Sequence, residues 1–200
     1  MRWTPAEGWY LLGRHLGRLE HSAGHFGFAF PPQVIGAALE AVAAAGQGPL
    51  RVRLLLARDG GVRTEHTPLD LTERRLTVRL ASAPIDPSDV FLFHKTTNRD
   101  VYDRARRRDC DDVILWNPAG EVTESTIMNL VVEIEGRRVT PPIECGLLPG
   151  TMRAELLATG AVSEARVTIE QARAAGRFWL VNSVRGWCPA DWIDVDNGTA

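Results

Sequence analysis

The order of apolar and polar positions divides the chain into two stretches of mixed helix and strand. A short strand over 9–12 comes first. Leu12, Leu16, Leu19, Ala23 and Phe26 then recur at three- to four-residue spacing, which predicts an amphipathic helix over 13–27. Pro31-Pro32 interrupts it. Ile35, Ala38, Leu39 and Val42 line one face of a second helix over 32–45, ended by Gly46. From Leu50 the pattern turns to strands, at 50–57, 62–67 and 75–81, the first two joined by the Asp59-Gly60-Gly61 turn.

The polar run Ala83-Pro84-Ile85-Asp86-Pro87-Ser88-Asp89 cannot continue a sheet. It marks the expected boundary between a small α/β lobe over 1–83 and a larger α/β lobe over 84–200. The larger lobe reads as an apolar strand at 91–93, a charged helix over 98–109, and strands near 112–116, 121–124, 128–134 and 137–140. A helix at 150–158, a strand at 164–168, a short helix at 169–175 and a strand at 177–182 complete it. The expected fold class is therefore α/β (α+β) in two lobes, with the Arg104 to Asp109 charges on a solvated helix face.

Composition narrows the function classes. With 200 residues, 44% hydrophobic and 24% charged, the chain lies in the ordinary globular range. A net charge of -2 gives no field to gather nucleic acid or an anionic membrane. No apolar run approaches the roughly 20 residues of a membrane span and no basic-then-apolar leader opens the chain, so a cytoplasmic protein is expected. Cys110, Cys145 and Cys188 are odd in number and widely spaced, which points to packing residues rather than disulfides or zinc ligands. His21 and His25 lie one helical turn apart without a completing Cys or Asp pair, so no metal is expected. His15 keeps phase with Leu12 and Leu19 and reads as a packing histidine. The six tryptophans lack basic interleaving and read as core and subunit contacts.

Lysine usage changes the picture. Of the 23 basic residues, Lys95 is the only lysine and 22 are arginine. Where a cation suffices, the two are exchangeable; only the lysine amine readily loses its proton and attacks a carbonyl carbon. Four further patterns accompany it. Phe93-His94-Lys95-Thr96-Thr97-Asn98-Arg99 places the lysine at a junction between elements. Val122-Thr123-Glu124-Ser125-Thr126-Ile127-Met128-Asn129-Leu130 sets one carboxylate in a polar break between apolar strands, where it could keep a pyridine nitrogen protonated. Gly146-Leu147-Leu148-Pro149-Gly150-Thr151-Met152-Arg153 opens a helix whose first N–H groups suit an anion. Val181-Asn182-Ser183-Val184-Arg185-Gly186-Trp187 ends a strand with a hydroxyl and a guanidinium.

In this order the motifs resemble the class IV aminotransferases, the fold type IV pyridoxal-phosphate enzymes that include branched-chain aminotransferase, D-amino-acid transaminase and aminodeoxychorismate lyase. Arg14-His15-Leu16-Gly17-Arg18-Leu19 is similar to the family's His-x-x-Arg-Leu helix, which implies that Arg18 grips the cofactor phosphate. His-Lys-Thr-Thr-Asn-Arg at 94–99 resembles the lyase branch's lysine motif, so Lys95 would hold pyridoxal 5'-phosphate as a Schiff base. Thr123-Glu124 with Asn129 matches the glutamate motif and gives Glu124 the pyridine nitrogen. The Leu148 to Arg153 turn implies phosphate contacts from Thr151 and Met152, and Ser183 stands where the family has a phosphate-binding hydroxyl. Arg185 and Asn182 are the expected substrate contacts, Arg185 meeting a carboxylate.

The resemblance is strongest to the lyase-like region fused behind aminodeoxychorismate synthase component I, through Met1 to Gly8 and Leu180 to Trp187. It implies conversion of 4-amino-4-deoxychorismate to 4-aminobenzoate and pyruvate, in the folate pathway, by a homodimer. An aminotransferase acting on branched-chain or D-amino acids would share every cofactor contact. A non-catalytic truncated homologue is the third reading, because the family's opening strand, ending in Glu-Thr, has no counterpart before Met1. The 57–61 segment also lacks the Arg-Gly-rich substrate loop of the stand-alone lyases.

Overall fold

A computed structural model describes residues 1–193. The elements in chain order are β1 (Arg2–Thr4), β2 (Gly8–Trp9), α1 (Leu12–Phe26), α2 (Pro32–Ala45), β3 (Leu50–Leu56), β4 (Val62–Pro68), β5 (Leu76–Leu80), α3 (Asp100–Ala105), β6 (Asp112–Trp116), β7 (Val122–Ser125), β8 (Asn129–Ile134), β9 (Arg137–Thr140), α4 (Thr151–Ala158), β10 (Ser163–Glu164), α5 (Ile169–Ala174), β11 (Phe178–Asn182) and β12 (Gly186–Trp192). The mixed α/β class expected from the sequence holds. Among the described residues no helix is long and apolar enough to cross a membrane.

The chain divides into two compact units, Met1–Thr72 with Ser183–Arg185, and Glu73–Asn182 with the residues from Gly186 onward. The division falls between Thr72 and Glu73 and not at the 83–84 boundary that the prolines suggested. Its cause is β5, which follows the β3–β4 hairpin in sequence but pairs in parallel with β12 and β6. Residues 194–200 of the expected larger lobe lie outside the described residues.

The first unit is a four-stranded sheet in the order β2-β1-β3-β4 together with α1 and α2. Ile35, Leu39 and Val42 of α2 are buried, as their spacing requires. Trp3, Val42, Leu50 and Val52 form its core. The ring of Trp3 lies where a side chain at Gly46 would begin, 2.3 Å from that position, so the end of α2 needs a residue without one. Trp3 belongs to β1, which the sequence pattern did not reveal because only three of its residues are in the strand.

The second unit is built on an eight-stranded sheet in the order β10-β9-β8-β11-β12-β5-β6-β7. β7 also pairs with β8 at Glu124–Asn129, which closes β8, β11, β12, β5, β6 and β7 into a barrel. Ile114, Val122, Leu130, Val132, Leu180, Val78 and Phe178 fill one buried cluster. Fully burying an aliphatic side chain of this size contributes about 1.5–3 kcal/mol, so this interior is the unit's main source of stability. The barrel includes β12, which was not expected: Pro189 argues against a strand in the sequence, and the register of β12 is set by β11 and β5. The expected strand at 91–93 is a 3-10 turn over Val90–Leu92, because the Asp89 carboxylate accepts the Phe91 N–H at 2.9 Å and bends the backbone away from extension.

Candidate active site

Lys95 lies on the loop between that 3-10 turn and α3. Leu92 before it is fully buried and His94 beside it is buried, while Lys95 itself is exposed. The loop is braced by its own side chains: the Asn98 N–H donates to Thr96 Oγ1 at 3.1 Å, and the Asp100 N–H to Asn98 Oδ1 at 3.3 Å. Short polar side chains bonding nearby backbone favour such a turn over helix or strand. This is why α3 starts at Asp100 and not at 98.

Glu124 sits in β7 with both faces of the strand buried. Its Oε1 accepts the Tyr102 hydroxyl at 2.8 Å and the Leu148 N–H at 2.9 Å, and its Oε2 accepts Asn129 Nδ2 at 3.1 Å. A carboxylate has about four acceptor positions, so this set leaves one on Oε2. Burial pushes the carboxyl up to about 7, against the Leu148 and Tyr102 hydrogen bonds and the Lys95 and Arg99 charges, which all favour the anion. Tyr102 is pushed well above the usual phenol range, first by burial and then by the Glu124 charge. The Arg99 guanidinium lies 4.6 Å from the Tyr102 ring centre and donates to the Thr126 carbonyl at 2.6 Å.

Behind this acid stands a second one. Asp112 is buried at the start of β6; its Oδ1 accepts from the Val113 N–H, the Thr126 N–H and the Thr126 hydroxyl at 2.8, 3.1 and 2.6 Å, and its Oδ2 accepts from the Ser125 hydroxyl at 2.7 Å. It holds the two residues that follow Glu124. Tyr102, Asp112 and the role of Asn129 were not found from sequence.

Thr151 and Met152 are the first two residues of α4, both buried, and the residue before them, Gly150, has no side chain with which to cap the helix. Arg153 in the same turn is buried, donates to the Pro141 carbonyl at 2.8 Å and pairs with Glu164. Asn182, half-buried, ends β11 opposite Gly186. Lys95, Glu124, Thr151, Met152 and Asn182 thus all belong to the second unit.

Arg18, Ser183 and Arg185 belong to the first. Ser183–Arg185 is the connection between β11 and β12, with Ser183 buried and Arg185 exposed. Ser183 Oγ and His15 Nε2 share a hydrogen bond of 2.9 Å. His15 is therefore not simply the packing residue its phase suggested. Arg18 stands one turn further along α1, half-buried.

The profile of the amino-transferase class IV family matches residues 1–193. The chain belongs to this family. Its members are pyridoxal-phosphate-dependent enzymes, and this class IV chain has relatives with two kinds of name. A Schizosaccharomyces pombe protein provisionally named an aminodeoxychorismate lyase is 33% identical over 168 residues, 78% of this chain and 71% of the relative. A crystal structure from Mesorhizobium loti, provisionally named an amino-acid aminotransferase, is 36% identical with a TM-score of 0.91, covering 96% of this chain and 97% of that one. A crystal structure from Legionella pneumophila, provisionally named a 4-amino-4-deoxychorismate lyase, shares the fold at 21% identity with a TM-score of 0.83, covering 96% and 81%.

Proposed function

We propose that this class IV chain is a pyridoxal-phosphate enzyme that converts 4-amino-4-deoxychorismate to 4-aminobenzoate and pyruvate. The observation that carries the cofactor reading is Glu124: a buried carboxylate with three donors on it and one acceptor position left, suited to one further N–H such as that of a pyridinium. Around it the second unit carries the sole lysine and the start of α4, the groups that an aldehyde and a phosphate require. These residues fit the group. Substrate choice rests on the flanks of Lys95 and on the Schizosaccharomyces pombe relative's name.

When bound, pyridoxal phosphate supplies an electron sink conjugated to its aldehyde carbon. Lys95 would hold that aldehyde carbon through Nζ, and the same amine would serve as the base and acid that takes a proton from the substrate ring and gives one back as the pyruvate portion is released. Glu124 keeps the ring nitrogen protonated. Thr151 and Met152 contribute backbone N–H groups to the phosphate; Arg18 and Ser183 are assigned to the phosphate, and Asn182 and Arg185 to the substrate, on the resemblance alone.

A second reading, amine transfer between an amino acid and a 2-oxo acid, is favoured by the Mesorhizobium loti neighbour. Two assays on the purified protein separate them. The lyase reading expects 4-aminobenzoate from 4-amino-4-deoxychorismate with no 2-oxo acid present. Turnover of D-alanine or leucine with 2-oxoglutarate, with no product from the chorismate derivative, would replace it by the second.

A further inference from the structure

Asn129 joins two parts of the second unit that the proposed function uses separately. Its Nδ2 donates to Glu124 Oε2 at 3.1 Å and to the Leu148 carbonyl at 2.9 Å, while the Leu148 N–H donates to Glu124 Oε1 at 2.9 Å. Glu124, Asn129 and Leu148 therefore close a buried ring of hydrogen bonds. Strand pairing fixes two of its members, since Glu124 and Asn129 are register partners of β7 and β8. The other end of the amide reaches the start of α4: Asn129 Oδ1 lies 1.8 Å from where a Cβ on Gly150 would stand. Gly150 has φ -68 and ψ 141, a conformation open to any residue. What demands glycine there is the Asn129 amide and not the backbone.

We propose that Asn129 is a positioning residue that holds the Glu124 carboxylate and the Leu148 to Thr151 turn in one fixed geometry. The acid assigned to the pyridine nitrogen and the helix start assigned to the phosphate are thereby kept at a constant spacing, as a rigid ligand with two distant polar ends requires. The inference rests on the proposed cofactor reading. Both hydrogens of Nδ2 are used, and Oδ1 fills the notch left by Gly150. An aspartate at 129 would turn the shared donor into an acceptor facing Glu124 Oε2 and the Leu148 carbonyl. An alanine would leave both of those acceptors bare and the notch empty.

The test is equilibrium binding of pyridoxal phosphate to the full chain, followed by absorbance across pH, for the wild type, Asn129→Asp, Asn129→Ala, Gly150→Ala and the Gly150→Ala/Asn129→Ala pair. Circular dichroism establishes folding for each. The expected result is at least tenfold weaker binding for Asn129→Asp and Gly150→Ala, a displaced pH profile of the bound cofactor's absorbance for Asn129→Asp, and little further loss when Gly150→Ala is added to Asn129→Ala, because the clash partner is gone. A merely structural asparagine would change the melting temperature and leave the pH profile in place. Wild-type affinity and pH profile in Asn129→Asp, or an equal cost of Gly150→Ala in both backgrounds, would overturn the proposal. Should Asn129→Asp not fold, Asn129→Ser is decided by the same two readouts. If the wild-type chain takes up no pyridoxal phosphate, it is the proposed function that fails, and the inference falls with it; if the wild type binds and the variants bind equally, only the inference does.

Discussion

The Tyr102 hydroxyl on α3 donates to Glu124 Oε1 on β7 at 2.8 Å, a bond between buried groups 22 positions apart in sequence. A buried hydrogen bond to a charged group contributes about 1.5–3 kcal/mol. Tyr102→Phe keeps the ring in its cluster with Leu92, Val113 and Leu115 and removes only the donor. We expect a loss of about that size at pH 8, where Glu124 is mostly ionised, and a smaller one at pH 5.5, where the protonated acid needs the donor less. Urea denaturation at the two pH values measures the difference; an equal loss at both would mean that the bond does not sense the charge.

Glu124 itself gives the chain a signed pH dependence before any cofactor is bound. Its carboxyl rises from the usual 4.5 to about 7 in the folded chain, chiefly by burial. Between those values the folded state holds a proton that the unfolded state has released, so stability falls as pH rises through that window. Glu124→Gln removes the titration and adds a pH-independent cost, because its amide nitrogen faces the Asn129 donor. The difference in denaturation free energy between variant and wild type should therefore change across pH 4.5 to 7 and stay constant above; a flat difference throughout would show that Glu124 titrates normally.

Part of this arrangement was legible in the sequence. The α2 spacing delimited Pro32–Ala45 correctly, and the apolar runs located β6 and β9 at their observed limits. Lys95 and Glu124 stood out because their chemistry is rare in this chain and this context. Tyr102 did not, since nothing local in 100–105 shows that its hydroxyl meets a strand carboxylate; the packing of α3 on Val113 and Leu115 of β6, the neighbour of β7, brings them together. Asp112 read as one more acid after the Arg104 to Asp109 run, yet its four donors come from its own strand neighbour and from the Ser125-Thr126 segment. β12 was hidden by Pro189, and the 3-10 turn before Lys95 by the apolar look of Val90-Phe91-Leu92.

Lys95→Arg keeps the positive charge near Glu124 and, at an exposed loop position, leaves the fold intact. The guanidinium stays protonated at any working pH and cannot attack an aldehyde. We expect a folded variant with turnover lower by several orders of magnitude and no borohydride-stable adduct at position 95 on peptide mass spectrometry. Near-normal turnover would remove the lysine from its assigned role.

The chain is proposed to be a homodimer. Arg138 stacks 5.2 Å from the Trp179 ring and 5.3 Å from the Trp187 ring, and Arg177 lies 6.0 Å from Trp179. Both tryptophans stay partly exposed in the single chain, and aromatic and arginine side chains are enriched at subunit interfaces. Light scattering should give twice the 22.0 kDa chain mass; a particle of one chain mass at working concentration would end the proposal.

Asp112 tests whether the segment after Glu124 is held by charge or by shape. Its Oδ1 accepts three donors, two of them from Thr126, and its Oδ2 accepts the Ser125 hydroxyl, which also accepts the Met128 N–H at 3.0 Å. In Asp112→Asn the amide oxygen can keep the three Oδ1 bonds. The new amide nitrogen then donates to Ser125 Oγ, whose own hydrogen is free to turn fully toward the Met128 carbonyl, already 3.0 Å away. No donor is stranded, and we expect a loss of about 1 kcal/mol, that of a charged bond exchanged for a neutral one. Asp112→Ala strands the Thr126 N–H and the Thr126 hydroxyl in a buried site, while the Ser125 hydroxyl still reaches the Met128 carbonyl; each unsatisfied group costs about 1–3 kcal/mol, so a loss above ~2 kcal/mol is expected. Guanidinium denaturation of both variants measures the contrast. If Asp112→Asn were as damaging as Asp112→Ala, the negative charge and not the hydrogen-bond pattern would be what fixes Ser125 and Thr126 beside Glu124.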